Sequence, residues 1–269
     1  MQIPILNGIY ADAAPDFRTS YPKNLVPVPK QTGISAGYLR PADGVVEAGT
    51  GPGVGRGAIN WNGVLYRVMG TKLVSIAENN TVTEIGDVGG TDRVTFDYGF
   101  TYLAIASNNN LFLYDGTTLT QVTDPDLGVV LDVVWVDGYY MTTDGEFLVI
   151  TDLADPFAVN PLKYGSSEAD PDPINALLKL RNEVYALNRN TIEVFDNVGT
   201  TGFPFQRIAG AQIQKGAVGT HACCVFMDNI AFMGGGRNEA PSIFMGANGS
   251  TQKIATREIE QILATYTET

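Results

Sequence analysis

The amino-acid sequence predicts an all-β fold: a β-propeller-like array of about five four-stranded units, with a proline-rich extended N-terminal arm and one C-terminal amphipathic helix. Short apolar segments alternate with tight polar turns, and Asn-Gly and Asp-Gly are the strongest short-range hairpin signals. Turn markers recur at Gly63, Gly99, Gly138, Asn182 and Asn229, with spacings of 36, 39, 44 and 47 residues. Such spacings are typical of propeller blades.

Residues 1–56 form the predicted arm. This segment contains seven prolines and the glycine-dense run 49–57, and each proline removes a donor that the middle of a sheet would need. Apolar side chains are nevertheless too frequent for a solvated linker. We therefore expect the arm to lie on another surface, either its own or that of a neighbouring subunit.

Residues 57–255 form the predicted repeat domain, in which the innermost strands are the most continuously apolar and are therefore covered on both faces. The predicted strands are 58–61, 64–69, 73–77 and 81–85; 93–97, 102–107, 111–114 and 118–123; 129–136, 139–143 and 147–152; 174–180, 184–188, 191–196 and 205–208; and 220–227, 230–233, 242–245 and 252–255. A proline-rich excursion follows the third strand of the third unit. Five units leave the closure of the propeller open, because an unpaired sheet edge invites association. The arm, a continuation of the polypeptide or another subunit could supply the missing strand.

Residues 256–269 form the predicted helix, where the apolar period changes to that of an α-helix. Thr256 is the predicted N-cap residue, and Glu258 lies in the first turn. Ile259, Ile262, Leu263 and Tyr266 form one apolar stripe, which needs a partner.

The composition excludes several classes of protein. The formal net charge is −12 and only 17% of residues are charged, so the chain lacks the basic surface that grips duplex DNA or a membrane. The N-terminus has neither the charge nor the apolar run of a signal peptide. No segment approaches the length of a membrane span, so membrane insertion is not expected. Cys223 and Cys224 are adjacent, which favours folding in a reducing cytoplasm.

The one histidine, His221, forms a His-Ala-Cys-Cys cluster with the two cysteines. Structural zinc needs four ligands with suitable spacing, and this cluster offers three on a strand that points neighbouring residues to opposite faces. Small buried thiols are the favoured interpretation. His221 also lacks a Gly-x-Ser-x-Gly elbow or a cysteine-nucleophile motif, so no catalytic triad is predicted.

Other motifs are equally incomplete. The run 53–58 half-matches a dinucleotide fingerprint but leads into a strand instead of a helix, and the run 234–237 lacks the end of a P-loop. Acidic clusters at 124–126, 152–155 and 168–172 lack the ligand order of a calcium loop and are predicted to be solvated. Paired carboxylates of a glycoside hydrolase remain an open alternative, because their separation is a three-dimensional fact. The sequence thus predicts no catalytic residue, no cofactor and no metal.

A series of short strings spans nearly the whole chain in a recognisable order. These strings are Ser35–Arg40, Gly53–Gly57, Tyr66–Leu73, Ile85–Val88, Ile150–Leu153, Asn190–Phe195, Gln214–Thr220, Ala240–Ile243 and Ile254–Thr256. In this order they resemble the packaged-DNA stabilisation protein, or tail hub (nozzle) protein, of short-tailed bacteriophages, the podovirus tail accessory factor family. None of the strings is a catalytic motif. Members of that family continue well past the position of the helix.

The resemblance implies a non-enzymatic component of the virion tail that is assembled in the cytoplasm of the host bacterium. It implies a homo-hexameric ring beneath the portal and adaptor, which prolongs the DNA channel and retains packaged DNA. It also implies contacts with a tail needle or plug and with tailspikes or fibres. The acidic composition is compatible with DNA that passes without sequence-specific binding, because each basic residue on the wall would add a phosphate contact.

The arm and the helix are the predicted assembly contacts. The candidate residues are Tyr21, Leu25, Val28, Tyr38, Leu39, Arg40, Ile259, Ile262, Leu263 and Tyr266. Two other functions stay open from the sequence. One is a β-propeller that binds glycans, or acts on them as an enzyme, through a central pocket and its loop carboxylates. The other is a host cytoplasmic propeller scaffold.

Overall fold

The computed structural model describes residues 24–29 and 37–266. The chain divides into two compact units, of which one spans Gly49–Ile254 and the other contains a two-stranded ribbon and a helix. The larger unit consists of five antiparallel β-sheets. The parts of the predicted arm at residues 1–23 and 30–36 lie outside the described residues.

The ribbon pairs β1 (Leu25–Pro29) with β2 (Gly37–Pro41) in antiparallel register, so that Val28 lies opposite Tyr38. Both strands are edges, and edge strands tolerate proline because one side of their backbone needs no ladder donor. The ribbon is therefore compatible with the proline content that predicts an extended arm.

The helix α1 comprises Arg257–Leu263, which is shorter than the predicted 256–269. Thr256 occupies the N-cap position, but its hydroxyl bonds the carboxylate of Glu258 at 2.8 Å instead of a main-chain N–H group. No residue of α1 is buried.

Each predicted unit corresponds to one sheet, numbered here in chain order. Sheet 1 contains β3 (Gly55–Trp61), β4 (Val64–Met69), β5 (Lys72–Ile76) and β6 (Val82–Asp87). Sheet 2 contains β7 (Thr95–Tyr98), β8 (Leu103–Ser107), β9 (Asn110–Tyr114) and β10 (Leu119–Gln121). Sheet 3 contains β11 (Asp132–Val136), β12 (Tyr139–Thr143), β13 (Phe147–Ile150) and β14 (Gly165–Ser166). Sheet 4 contains β15 (Ile174–Leu180), β16 (Glu183–Asn188), β17 (Ile192–Asn197) and β18 (Phe205–Arg207). Sheet 5 contains β19 (Gly216–Ala217), β20 (Cys223–Phe226), β21 (Asn229–Gly235), β22 (Ser242–Ala247) and β23 (Ser250–Lys253).

The all-β prediction with four-stranded units is confirmed. Sheets 1 to 4 pair their strands in chain order, and in sheet 5 both β19 and β20 pair with β21. Within the five sheets, the sequence pattern missed β14 and β19, which have two residues each. Such short segments carry no alternation of apolar and polar residues, and β14 follows the proline-rich excursion.

Two hairpin turns explain the turn signals in the sequence. Asn62 and Gly63 have φ of 51° and 79°, and Asp137 and Gly138 have φ of 48° and 92°. Two consecutive residues with positive φ are the requirement of a type I′ turn, which joins twisted antiparallel strands with little strain. Asn, Asp and Gly adopt this conformation most readily.

The sheets pack face to face, and four apolar clusters fill the spaces between consecutive sheets. Trp61 and Phe112 belong to the cluster between sheets 1 and 2, and Leu113 and Val133 to that between sheets 2 and 3. Met141 and Phe195 join sheets 3 and 4, and Tyr185 and Phe232 join sheets 4 and 5. Packing on both faces explains why the middle strands of the sheets are so uniformly apolar.

Arg56 of β3 is a buried charge that ties sheet 1 to sheet 2. The residue is 6% exposed. Its guanidinium donates to the main-chain oxygens of Asp92 (2.5 Å), Gly70 (2.9 Å) and Gly89 (2.6 Å), and to the Ser107 hydroxyl (2.9 Å). The three main-chain acceptors lie in turns and connections outside the regular ladders, so Arg56 supplies a donor to oxygens that no ladder satisfies at the junction of the two sheets.

We expect Arg56→Met to lower the free energy of unfolding by about 2–4 kcal/mol, because three partly buried carbonyl oxygens and the Ser107 hydroxyl would lose a charged donor. Urea unfolding followed by circular dichroism measures the change. Arg181→Met is the matched control, since Arg181 is an exposed turn residue, and its effect should stay below about 0.5 kcal/mol. Equal effects of the two substitutions would contradict the assigned role of Arg56.

Candidate functional site

The innermost strands of the five sheets surround a central cavity of about 730 Å³. β3, β7, β11, β15 and β20 each contribute lining residues. A concave space at the centre of such an array is the default place to look for a site. The charged side chains that line it are Arg56, Arg67, Arg93, Asp97, Asp132 and Lys179.

The two carboxylates in the cavity join neighbouring sheets. Asp97 of β7 accepts the main-chain N–H of Trp135 on β11 at 2.6 Å. Asp132 of β11 accepts the main-chain N–H of Leu177 on β15 at 2.8 Å. Strands of different sheets share no ladder, so these N–H groups depend on side chains for a partner. Both carboxylates therefore act as structural acceptors.

The junction between sheets 4 and 5 uses an amide and a hydroxyl for the same purpose. The Asn175 side chain donates to the main-chain oxygen of Ala217 at 2.7 Å, and the Thr220 hydroxyl donates to the main-chain oxygen of Asn175 at 2.6 Å. The side chains that join neighbouring sheets form a polar belt around the cavity from sheet 1 to sheet 5. Its members are Arg56, Asp97, Asp132, Asn175 and Thr220.

Burial dominates the electrostatics of the belt. It raises the pKa of Asp132 to about 7, against the opposing hydrogen bonds from the N–H groups of Leu177 and Val133. Burial also raises the pKa of Asp97, and the Lys179 ammonium, 3.9 Å from the carboxylate, opposes that effect. The same ammonium lies 5.0 Å from the centre of the Trp135 ring, which is a favourable cation–π distance.

The His-Ala-Cys-Cys cluster is split by the fold. His221 and Cys223 line the cavity, whereas Cys224 is exposed. Burial lowers the pKa of His221, and nearby Arg93 lowers it further. Burial raises the pKa of Cys223 to about 12, so its thiol is neutral at pH 7 and is neither a good nucleophile nor a good metal ligand. Among the residues described, no group of three His, Cys, Asp or Glu side chains is arranged to hold a metal ion.

The sequence predicts the acidic loops to be solvated, but several of their carboxylates accept hydrogen bonds from main-chain N–H groups. Asp124 accepts the N–H groups of Asp126 (2.9 Å) and Val159 (3.0 Å), and these bonds lower the pKa of Asp124. Asp172 accepts the N–H of Asn190 at 2.5 Å. Asp170 forms an ion pair with Arg237 at 2.7 Å. These loops are therefore ordered connections in which the carboxylates close turns.

The predicted assembly contacts have different surroundings. Tyr21 lies outside the described residues. Leu25, Val28, Tyr38, Leu39 and Arg40 lie on the ribbon, where Tyr38 is 62% exposed and Arg40 pairs with Asp43 at 3.1 Å. Ile259, Ile262 and Leu263 lie on α1, and Tyr266 follows it with 71% of its surface exposed.

Sequence reasoning missed the polar residues of the cavity. Asp97, Asp132 and Lys179 carry no motif, and only one signal could have found them. Each is a charged residue inside or at the end of an otherwise apolar innermost strand, for example Asp132 next to Val133 and Val134. That position demands a buried partner.

Comparison with known proteins shows which family this chain matches. A family model described as "Bacteriophage P22 Gp10, beta-propeller" matches residues 1–269. The chain belongs to this family. Within the P22 Gp10 family, the chain is 32% identical over 294 aligned residues to the tail hub protein gp10 of Salmonella phage P22. The match covers 99% of this chain and 59% of that relative, so the chain spans about three fifths of the relative's length.

Several solved structures share the fold of this P22 Gp10 family member. The streptogramin B lyase structure superposes with a TM-score of 0.55 at 12% identity, over 88% of this chain and 78% of the lyase. The extracellular domain of the hybrid two-component system BT4673 from B. thetaiotaomicron gives 0.53 at 12% identity, over 75% of this chain and 28% of that chain. The Neurospora crassa Pan2 WD40 domain gives 0.51 at 12% identity, over 75% and 65%. At such identities the likeness shows the fold alone.

Helices in the described part of the chain are too short or too polar to cross a membrane.

The pH dependence of stability tests the burial of Asp132. The folded-state pKa of about 7 exceeds the unfolded value of about 3.9, so the folded state binds the proton more tightly. The neutral Asp132 carboxyl therefore makes its full contribution to the free energy of unfolding below about pH 4. This contribution is lost as the pH rises through about 7. Asp132→Asn should remove this loss, which in the wild-type protein has a slope of up to about 1.4 kcal/mol per pH unit. Urea unfolding at a series of pH values measures it.

Asp115→Asn is the control with the opposite sign. Asp115 is exposed, and the N–H groups of Thr118 and Thr117 lower its pKa. The contribution of Asp115 to the free energy of unfolding is therefore lost only as the pH falls towards acid values. Between about pH 4 and 7, the free energy of unfolding of Asp115→Asn should change with pH at the same slope as that of the wild-type protein. The same slope in Asp132→Asn and in the wild-type protein would contradict the assignment.

Proposed function

We propose that this chain is a structural, non-enzymatic subunit of a phage tail hub, which assembles into a ring in the virion tail. The observation that carries the proposal is the match of the P22 Gp10 family model to residues 1–269. The 32% identity to the P22 tail hub protein supports it, and so does the use of the cavity carboxylates for main-chain hydrogen bonds.

The proposal includes a homo-hexamer that prolongs the DNA channel below the portal and adaptor and retains packaged DNA. The proposal places that channel outside the central cavity of about 730 Å³, because the innermost strands from sheet 1 through sheet 5 contact their neighbours around this cavity. A duplex, whose major groove alone is about 12 Å wide, needs a wider passage. DNA would therefore pass between subunits, and the net charge of −12 on each chain disfavours tight phosphate binding.

We further propose that the ribbon and α1 make the assembly contacts. The apolar side chains of Leu25, Tyr38, Ile262 and Tyr266 are exposed, and a two-stranded ribbon is marginally stable unless it packs against another surface. Partners of the ring would be the adaptor, a tail needle or plug, and tailspikes or fibres. Assembly would take place in the cytoplasm of the host bacterium.

Electron microscopy and sedimentation of the purified chain test the proposal. Sixfold rings, alone or after addition of the P22 portal and adaptor, are the expected result. A chain that stays monomeric and is absent from tail particles would refute the tail-hub function. Screening against surface polysaccharides of host bacteria addresses the glycan alternative, which the family comparison disfavours, since a tail hub should neither bind nor cleave them.

Deletion of residues 1–37 should reduce the yield of rings more than it reduces the melting temperature. The reason is that the deleted segment supplies β1 of the ribbon but no strand of sheets 1 to 5. Sedimentation gives the ring yield and circular dichroism gives the melting temperature. Unchanged ring yield in the truncated chain would contradict a role of the arm in assembly.

Ile262→Asp should reduce ring yield by about tenfold or more, because a charge placed in an apolar contact costs at least about 1.4 kcal/mol per contact. Its melting temperature should change little, since Ile262 is 55% exposed. Ile262→Leu keeps the apolar surface and is the matched control. Rings formed equally well by both variants would exclude α1 from the interface.

A further inference from the structure

The central cavity collects positive charge in an acidic protein. The chain contains 17 basic and 29 acidic residues. The side chains that line the cavity, in contrast, include four basic residues and only two carboxylates, so that their formal charges give an excess of two positive charges. The basic residues are Arg56, Arg67, Arg93 and Lys179. A concave site with an excess of one sign of charge attracts small ions of the opposite sign.

Two of these arginines have no polar partner among the residues that the structure describes. Asp97 and Asp132 each accept a main-chain N–H group from the neighbouring sheet, and Arg56 makes four hydrogen bonds of its own. The side chains of Arg67 and Arg93 make no hydrogen bond and no ion pair with any described residue. Their guanidinium groups therefore keep their N–H donors for a ligand.

The glycine run 53–57 positions the Arg67 guanidinium at the cavity. The pairing of β3 with β4 shifts its register between Gly55 and Gly57, so a β-bulge lies at the start of β3. A bulge redirects the side chains around it. The Arg67 guanidinium packs directly over Gly55, at the place where a Cβ atom would lie. Since Gly55 does not have a positive φ, glycine is required here for space and not for backbone conformation.

Arg93 lies beside the one histidine of the chain. Arg93 precedes β7 of sheet 2 and His221 precedes β20 of sheet 5, and both residues line the cavity. Burial lowers the pKa of His221, and the Arg93 guanidinium lowers it further. The two side chains must be close together for this second effect, because Coulomb interactions decline with distance. An anion bound at this place would interact favourably with both groups.

The rest of the wall is largely apolar. Its apolar side chains include Ile59, Phe96, Val133, Val134, Leu177 and Val225. Sites for small molecules typically combine such a wall with a few placed polar groups, in a volume of roughly 300–1,000 Å³. The cavity, at about 730 Å³, therefore has room for an anionic group together with an organic portion.

We propose that the central cavity binds a small molecule through a dianionic phosphate group that Arg67 and Arg93 contact. A guanidinium presents pairs of N–H donors that match two phosphate oxygens, and two unpaired arginines balance the two charges of the group. In a phosphate monoester, the apolar wall would contact the organic portion, whereas inorganic phosphate would use the arginines alone. The inference rests on the charge and geometry of the cavity and not on the tail-hub function.

His221 makes the binding measurable at the cavity itself, because it is the only histidine of the chain and lines that space. AMP, inorganic phosphate or adenosine is added to the untagged chain at constant pH and ionic strength. Calorimetry gives the affinity, and NMR of ¹³C-labelled histidine gives the location. We expect AMP to bind with a Kd below about 1 mM and to shift the His221 resonances, and adenosine to bind at least about tenfold more weakly.

The comparison of AMP with inorganic phosphate distinguishes the two sources of the dianion. Tighter binding of AMP supports the proposal and assigns the site to a phosphate monoester, whose organic portion contacts the apolar wall. Equal binding of the two also supports the proposal and assigns the site to free phosphate.

Arg67→Gln and Arg93→Gln each remove one charge and should weaken AMP binding by about tenfold or more, because each removes a bidentate contact. Arg181→Gln changes the net charge of the chain equally at an exposed turn outside the cavity. This matched control should keep its affinity within about twofold of the wild-type value. Melting curves of the ligand-free variants show that each is folded.

Gly55→Ala separates the position of Arg67 from its charge. The substitution keeps every charged residue but places a methyl group where the Arg67 guanidinium lies. The guanidinium is the end of a flexible side chain and can move aside, so the melting temperature should change little. AMP binding should weaken by about as much as in Arg67→Gln.

Four outcomes would overturn the proposal. One is a wild-type chain that binds neither AMP nor inorganic phosphate at millimolar concentrations, and another is adenosine that binds as tightly as AMP. The third is binding that leaves the His221 resonances unchanged. The fourth is a loss of affinity in Arg181→Gln as large as that in Arg93→Gln. None of these measurements depends on whether the chain forms rings, so they fail or succeed separately from the tail-hub function.

Discussion

An apolar face of a sheet is stable only where a neighbour covers it, and this constraint organises the five sheets of this protein. Sheets 2, 3 and 4 meet this constraint, because each contributes residues to two apolar clusters. Sheets 1 and 5 meet it on one face. The same constraint produces the central cavity, since sheets that pack side by side around an axis bring their innermost strands together. It also accounts for the exposed Leu65 and Phe226.

Buried charged side chains in this protein form hydrogen bonds with main-chain groups. Neighbouring sheets share no hydrogen-bond ladder, so main-chain groups at their junctions depend on side chains for partners. Arg56, Asp97 and Asp132 supply these partners inside the larger unit. Glu193, which is 1% exposed, does the same within sheet 4 by accepting the N–H of Ala169 at 2.6 Å. These four buried side chains are therefore already engaged by the backbone.

This arrangement moves the search for assembly contacts from the cavity to the surfaces. Exposed apolar side chains include those on the outer faces of sheets 1 and 5 and those on the ribbon and α1. The first is the edge of an incomplete array and is explained by packing within a fold. The second belongs to a separate compact unit in which no residue of α1 is buried, and it is where we propose the contacts between subunits. The relative that the chain matches in the P22 Gp10 family is a tail hub protein.

The sequence by itself determined the class of fold, the number of units and most strand positions. Strands β4, β12 and β15 have the bounds that the pattern predicts, because alternation and turn chemistry act over a few residues. Only the tertiary structure decided which charged residues meet, as with Arg56 and Ser107, 51 residues apart. It alone showed that the unfilled junction lies between sheets 5 and 1. Such contacts depend on how distant segments are placed, and no local pattern records that placement.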